Sequence, residues 1–224
     1  MIQVFTDNDF KDTNAYLIYN EKKQGILIDT AYERYKDIIS FVKKNDINLT
    51  DVFITHGHFA HFYGINEICE ILNIENVYIG RKDMIMLFDA NKNTSILFTE
   101  GWCAKPLKNL KVIDKELELK INGFLIKTIA SETHTDGSMI IEFPEIKCIF
   151  NGDTLFLHHD VIGPTNSLEE EKRILENIKW IFKNYSKGYS FFPGHFDYGF
   201  TIRDVLDKDN YIKKKYKRLI NYSN

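Results

Sequence analysis

Three of the chain's seven histidines, His56, His58 and His61, lie within six residues of one another in the stretch THGHFAH. They follow a short apolar run at residues 51–54 whose β-favouring sequence predicts a buried strand. Side chains two apart in extended backbone point the same way, so His56 and His58 can converge on one point. His61, further along, can reach a second point close by. Because neutral imidazole commonly binds zinc, iron and copper, the stretch predicts a metal site rather than a surface histidine cluster.

Three later loops each place one further potential ligand beside a predicted strand. His134 lies in HTDGS, Asp153 in NGDTLF after a glycine that permits close backbone approach, and His195 in PGH. Loops at strand ends are where a rigid sheet presents chemistry. Five histidines and one carboxylate form a ligand set suited to zinc, iron or manganese, and the lack of thiolate disfavours a closed structural zinc site. His158 and His159 are left over, and we expect them at the surface or the rim of the site.

Runs of β-favouring residues and of helically spaced apolar residues follow one another along the chain. Strands are predicted at residues 2–5, 15–19, 25–28, 51–54, 76–79, 110–113, 117–121, 124–129, 138–143, 147–150 and 189–192. Helices are predicted at 31–44, 62–72, 81–89, from a capping box at 167–170 to about 182, and at 210–220. The segment around residues 102–106 is predicted as a loop or short helix over the site. This order predicts an α+β fold with two packed sheets and outer helices, in one domain spanning residues 1–224.

Composition narrows the classes of function. A net charge of −3 gives no sign of a nucleic-acid partner, and the lysines of the last predicted helix are expected on a solvated face. The three cysteines show no close pairing, which favours reduced thiols in a cytoplasmic protein. The N-terminal residues lack the features of a signal peptide, and no apolar run has the length of a membrane span. We therefore expect a small-molecule substrate, no nucleic acid and no membrane.

The ordered set THxHxxH, HTDGS, GDTLF and PGH resembles the metallo-β-lactamase superfamily, most closely its single-domain glyoxalase II-like hydrolases. The resemblance extends from the first strands to about residue 195. It implies an αββα sandwich of two mixed sheets, with helices on the outer faces and the metals at one edge. It implies a first metal on His56, His58 and His134, a second on His61 and His195, and Asp153 bridging the two. One or two Zn²⁺ ions, with iron or manganese as alternatives, would then supply a metal-bound hydroxide that attacks an ester, thioester, lactone, amide or phosphoester.

One position departs from the family motif HxHxDH, in which an aspartate stands where this chain has Ala60. In the family that aspartate ligates the second metal and orients the nucleophile, and alanine can do neither. The second site keeps only His61, His195 and the shared Asp153. A naturally degenerate chain and a variant made from an active hydrolase both fit, and the intact remaining motifs favour the variant. We expect impaired hydrolysis.

Two other activities stay open at this point. The residues GPTN at 163–166 lack the arginine of the GRTD motif common in glyoxalase II-like members. We also expect no glutathione-binding helical domain, and both expectations disfavour glutathione thioesters. Persulfide dioxygenases resemble this family and hold a single iron at the positions of His56, His134 and Asp153. That iron enzyme is one alternative, and a silent metal-binding or ligand-binding protein is the other.

Overall fold

The computed structural model describes residues 1–159, 168–185 and 188–208. Two sheets form the centre of the fold, and the first is built from strands within residues 2–113. This sheet has six strands in the spatial order β1 to β6. Its first two pairs are antiparallel, and β3 to β6 run parallel. The strands are β1 (Ile2–Asp7), β2 (Thr13–Tyr19), β3 (Gln24–Ile28), β4 (Asn48–Phe53), β5 (Asn76–Gly80) and β6 (Leu110–Ile113).

The second sheet uses the remaining strands, in the spatial order β11-β10-β9-β8-β7. Only β10 and β11 pair in parallel, so this sheet is mixed as well. Its strands are β7 (Leu117–Ile121), β8 (Phe124–Ala130), β9 (Met139–Phe143), β10 (Cys148–Gly152) and β11 (Ser190–Pro193). The Asn-Gly pair between β7 and β8 has φ values of 53° and 79°, as a tight hairpin turn of this kind requires.

Four α-helices and several 3-10 turns complete the described chain. The α-helices are α1 (Tyr35–Lys44), α2 (Ile65–Leu72), α3 (Leu168–Asn184) and α4 (Ile202–Lys208). The 3-10 helices are Tyr32–Arg34, Phe59–His61, Arg81–Phe88 and Ser95–Leu97. The helix predicted at 62–72 begins three residues later, because the preceding residues turn tightly around the histidines. Helix α4 was not predicted, whereas the helix predicted at 210–220 and the start of the capping box at residue 167 lie outside the described residues.

Alternation along the strands sorts the apolar side chains into three layers. In β3, Ile26 and Ile28 pack against the second sheet, and Leu27 between them packs under α1 and α2. In β10, Phe150 faces the first sheet, while Ile149 packs with the α3 residue Ile181. Both of these strands therefore bury both faces, and the layers follow the order helix, sheet, sheet, helix. The predicted αββα sandwich is confirmed.

Candidate metal centre

All six side chains singled out in the sequence meet where the two sheets join, around the carboxylate of Asp153. One of its oxygens, Oδ2, lies 3.4 Å from Nε2 of both His134 and His195. The Nε2 atoms of His56 and His61 lie 3.9 Å from its two oxygens, and His134 Nε2 lies 2.7 Å from His58 Nδ1. Two overlapping groups could each hold a metal ion, with donor atoms within 4.8 Å of one another: His56, His58 and His134, and His56, His61 and Asp153. The second group includes His56, a residue that the family resemblance implies for the first metal only.

Strand ends and glycines bring these donors together. His56, His58 and His61 follow β4, a central strand of the first sheet, whereas Asp153 and His195 follow the parallel neighbours β10 and β11. Gly152 has φ +49°, and a Cβ there would lie 2.8 Å from the Thr55 hydroxyl. A Cβ on Gly194 would lie 2.3 Å from Asp153 Oδ1. Only glycine fits where these backbones approach the donors so closely.

In three of the imidazoles the Nδ1 atom, which faces away from Asp153, is hydrogen-bonded to the protein, and the Nε2 atom is left to face the centre. His61 Nδ1 donates to Asp29 Oδ2 at 3.0 Å, and His195 Nδ1 donates to the Lys11 carbonyl at 2.9 Å. The Thr55 hydroxyl donates to Asp29 Oδ2 at 2.7 Å, so its oxygen accepts from His56 Nδ1 at 3.1 Å. Each ring therefore points its Nε2 towards Asp153, and in the neutral form of the ring this nitrogen is unprotonated, as a metal ligand requires.

Asp83 joins the two loops that carry His56, His58 and His134. Its Oδ2 accepts from the Gly57 backbone N–H at 2.7 Å and from the Thr135 hydroxyl at 2.5 Å. Its Oδ1 accepts from the Gly137 N–H at 2.8 Å. The carboxylate is only 1% exposed, so these bonds hold the loops together away from competing water.

Two buried atoms test whether the cluster suits a metal. Among the described residues, His56 Nε2 and Asp153 Oδ1 have no hydrogen-bond partner. Leaving such groups unsatisfied costs about 1–3 kcal/mol each, and folded proteins rarely tolerate that without a functional reason. Both atoms face the shared centre, and both are donors that zinc and iron accept, so the residues fit a metal.

The pKa shifts of most of these groups also suit a metal centre. Burial and the neighbouring histidines hold the pKa of His56 well below its usual value, and burial with His134 lowers the pKa of His58 to about 3. Burial also lowers the pKa of His195. Burial opposes charge on His61 and on Asp153, but Asp29 and Asp153 raise the pKa of His61, and the surrounding histidines lower that of Asp153. The centre thus holds an ionised carboxylate among mostly neutral imidazoles.

Ala60 lies at the edge of a cavity of about 230 Å³ that opens onto the donors. It sits in the 3-10 helix Phe59–His61 and is 4% exposed. Its methyl group supplies no donor atom. His159 stacks at 3.8 Å on Phe196, which lines the same cavity, and this places it at the predicted rim.

Three residues at the centre were not predicted. Asp29 directly follows the buried strand β3, and an acidic residue in that place is a signal that could have been used. Asp83 lies three residues after the end of β5, in the 3-10 helix Arg81–Phe88. The carbonyl of Lys11 offers no sequence signal, because any residue could provide it.

The chain is similar to several known proteins. A sequence profile described as the metallo-β-lactamase superfamily matches residues 8–218. A "probable metallo-hydrolase" of Streptococcus pyogenes is 25% identical over 85% of this chain and 82% of its own length. A hydroxyacylglutathione hydrolase of Dictyostelium discoideum is 34% identical over 66% of this chain, which spans about half of that protein, 49%.

Two solved structures share the fold. The BLEG-1 B3 metallo-β-lactamase superposes with a TM-score of 0.81 at 24% identity, covering 95% of this chain and 99% of that one. A di-iron-bound form of TTHA1623 gives a TM-score of 0.71 at 20% identity, covering 93% and 99%. At these identities the likeness shows the fold alone. No helix in the described ranges combines the length and apolar character needed to cross a bilayer.

Proposed function

The chain belongs to the metallo-β-lactamase superfamily, and from this premise we propose that it is a metal-dependent hydrolase impaired by Ala60. The bonds within its reach are those of esters, thioesters, lactones, amides and phosphoesters. One observation carries the proposal. His56 Nε2 and Asp153 Oδ1 are buried without a partner, inside a ring of imidazoles already fixed from behind.

We propose the division of ligands that the family motif implies. His56, His58 and His134 would hold one metal, His61 and His195 would hold the other, and Asp153 would contact both. The His134 and His195 nitrogens approach the same Asp153 oxygen at 3.4 Å from two sides, which supports a shared role for this carboxylate. We propose zinc, with iron as the alternative because the similar protein TTHA1623 has a di-iron form.

Ions in these positions would lower the pKa of a water molecule and polarise the bond to be cleaved. The side chains around the ions would have the remaining roles. Asp153 would supply a negative charge between the two sets of imidazoles, because its carboxylate is buried and the surrounding histidines lower its pKa. Asp29 keeps His61 in place. Ala60 offers nothing to orient the water or accept its proton, so slow turnover is expected.

A second candidate function, that of a single-iron oxygenase, is supported by a separate observation. Asp153 Oδ2 lies 3.4 Å from His134 Nε2 and 3.9 Å from His56 Nε2, so two histidines and a carboxylate stand together without using position 60. Such a triad suits a single iron in an oxygenase. Metal analysis of protein purified without added metal separates the candidates, because zinc supports hydrolysis and one iron supports oxygen chemistry.

The deciding experiment restores the missing carboxylate. Ala60→Asp should raise bound zinc from about one equivalent towards two and raise turnover about 1000-fold or more on at least one ester, thioester, lactone or phosphodiester probe. Effects of that size are typical when one member of a cooperating set is absent. Position 60 lines the cavity, which offers room for the added side chain. Zinc content and turnover are measured on the same preparations.

Two variants control this test. Ala60→Asn has nearly the same shape without the charge and should gain far less. Adding His134→Ala to Ala60→Asp should abolish the gain. A protein that holds two zinc ions yet stays silent across the panel would instead be a metal-binding or ligand-binding protein.

A further inference from the structure

The cavity beside the histidines has an aromatic wall formed by Phe10, Phe59 and Phe98. Phe10 meets the other two rings edge-on at 5.4 and 5.2 Å, while Phe59 and Phe98 stack at 5.8 Å. Phe196 lines the cavity as well and is stacked by His159. These surfaces are apolar, whereas the donors of the metal centre lie together. The cavity therefore suits a substrate whose reactive group meets the histidines and whose neighbouring group is apolar.

The aromatic wall is anchored before any ligand arrives. The Phe59 N–H donates to the Asn93 carbonyl at 3.0 Å, which ties the loop carrying Phe98 to the histidine stretch. Within that loop, the Asn93 side chain donates to the Trp102 carbonyl at 2.9 Å, and the Ser95 hydroxyl donates to it at 2.8 Å. Both Asn93 and Ser95 are fully buried. Because the loop is fastened at its base, a ligand would not have to order it.

Lys11 is the single lysine or arginine among the described residues that line this cavity. Its Nζ lies 4.7 Å from the centroid of the Phe98 ring, at the mouth. No carboxylate of the described residues forms an ion pair with it, although lysines 36, 82 and 127 each have one. The Lys11 carbonyl accepts from His195, so the backbone that carries this exposed side chain is fixed beside the metal centre. The Lys11 ammonium group therefore lies next to the aromatic wall, over the Phe98 ring.

Size limits what can enter. A cavity of roughly 150 Å³ accepts benzene, and a water molecule occupies roughly 30 Å³. The 230 Å³ beside the histidines must also contain the reacting bond and its water, which leaves room for one ring or a compact acyl chain. A single lysine supplies one point charge, which one carboxylate can neutralise, whereas bidentate recognition of phosphate is typical of arginine.

We propose that the substrate carries one aromatic ring or compact apolar group next to the cleaved bond, and a carboxylate that pairs with Lys11. This inference rests on the proposed hydrolase function and names the class of its substrate. Phe98 contributes both to the aromatic wall and to the position of the ammonium group. Lys11 is then a specificity-determining residue.

The test compares two ligands that differ only in charge. 4-(Sulfanylmethyl)benzoate and 4-(sulfanylmethyl)benzamide share the ring and a thiol for the metal, and only the first carries a carboxylate. Calorimetric titration of the full chain, with and without bound zinc, should show about fivefold tighter binding of the benzoate, the upper range for a partly exposed ion pair. The preference should shrink as salt rises.

Matched variants assign the effect. Lys11→Gln should remove the preference and Lys11→Arg should keep it, while Lys22→Gln, at an exposed lysine in the β2–β3 turn, should change nothing. Phe98→Leu should weaken both ligands. A preference below twofold in both metal states, or one that survives Lys11→Gln, overturns the proposal. Because the readout is binding, that failure is separate from failure of the hydrolase proposal, which is read from turnover of Ala60→Asp.

Discussion

At the scale of single residues, two acidic side chains that belong to none of the sequence motifs set the geometry of the metal centre. Asp29 holds His61 directly and His56 through Thr55. Asp83 accepts backbone N–H groups from both the His56–His58 turn and the loop after His134. Neither side chain has to touch a metal. Both decide where the donors stand, and partners of this kind commonly change metal affinity 10- to 100-fold.

Asp83→Asn should therefore weaken zinc binding by about 10- to 100-fold. An amide keeps one acceptor but turns an N–H towards either the Gly57 or the Gly137 N–H, so one contact becomes repulsive. Competition with a calibrated chelator measures the dissociation constant, and the melting temperature of the metal-free variant shows whether the fold survives. Asp114→Asn is the control, because Asp114 pairs with Arg81 at the surface. Equal affinity in both variants would contradict a positioning role for Asp83.

At the scale of elements, sequence patterns located the donors but not what holds them. Each predicted ligand belongs to a short motif that can be read locally. Asp29 and Thr55 are 26 residues apart, and Asp83 and Gly137 are 54 apart, so their pairing depends on how strands neighbour one another. The loop around Asn93 is polar in sequence, yet its buried Asn93 and Ser95 side chains fasten the aromatic wall. Burial of a polar residue by a distant segment leaves no local periodicity to read.

Two tyrosines, one directly after α3 and one directly before β11, donate to a single carboxylate on β9. Tyr189 donates to Glu142 Oε1 at 2.8 Å, and Tyr185 donates to Oε2 at 3.1 Å. Burial and Glu142 raise the pKa of Tyr189 to about 12, and the same causes raise that of Tyr185. Both phenols stay protonated in the folded protein above pH 10, where those of the unfolded chain ionise.

The stability that these phenols provide should be fully present below about pH 10 and be lost as the pH rises through about 12. Over that range the free energy of unfolding should fall by at most about 1.4 kcal/mol per pH unit for each phenol. Urea denaturation followed by circular dichroism at a series of pH values measures this. Tyr189→Phe should flatten the decline, and an unchanged slope would show that the Glu142 contact does not govern it.

At the scale of the whole molecule, the donor set spans two sheets that are contiguous in sequence. Residues 2–113 form the first sheet and supply three histidines, whereas residues 117–193 form the second, with His134 and Asp153 supported on its strands. The β1–β2 hairpin crosses to the second sheet, where the Asn14 N–H donates to the Gly194 carbonyl at 2.7 Å. The unfolded chain keeps these donors apart, so a metal would bind mainly to the folded protein.

Removing metal should therefore lower the melting temperature. At a free zinc concentration about 1000 times the dissociation constant, the stabilisation is about 4 kcal/mol, which corresponds to about 10 °C for a chain of this size. Differential scanning calorimetry before and after chelation, with metal content verified, measures the shift. His134→Ala should show a much smaller shift. An unchanged curve after complete removal would count against these side chains as ligands.

The short connection between β6 and β7 has a practical consequence. A cut within residues 114–116 would divide the chain into two fragments, each with one intact sheet and half of the donor set. Neither fragment alone would retain metal tightly, and the pair would do so only after docking face to face. Metal uptake would then measure how far the two fragments have reassociated. The pair could therefore serve as a split reporter that is read through its bound metal.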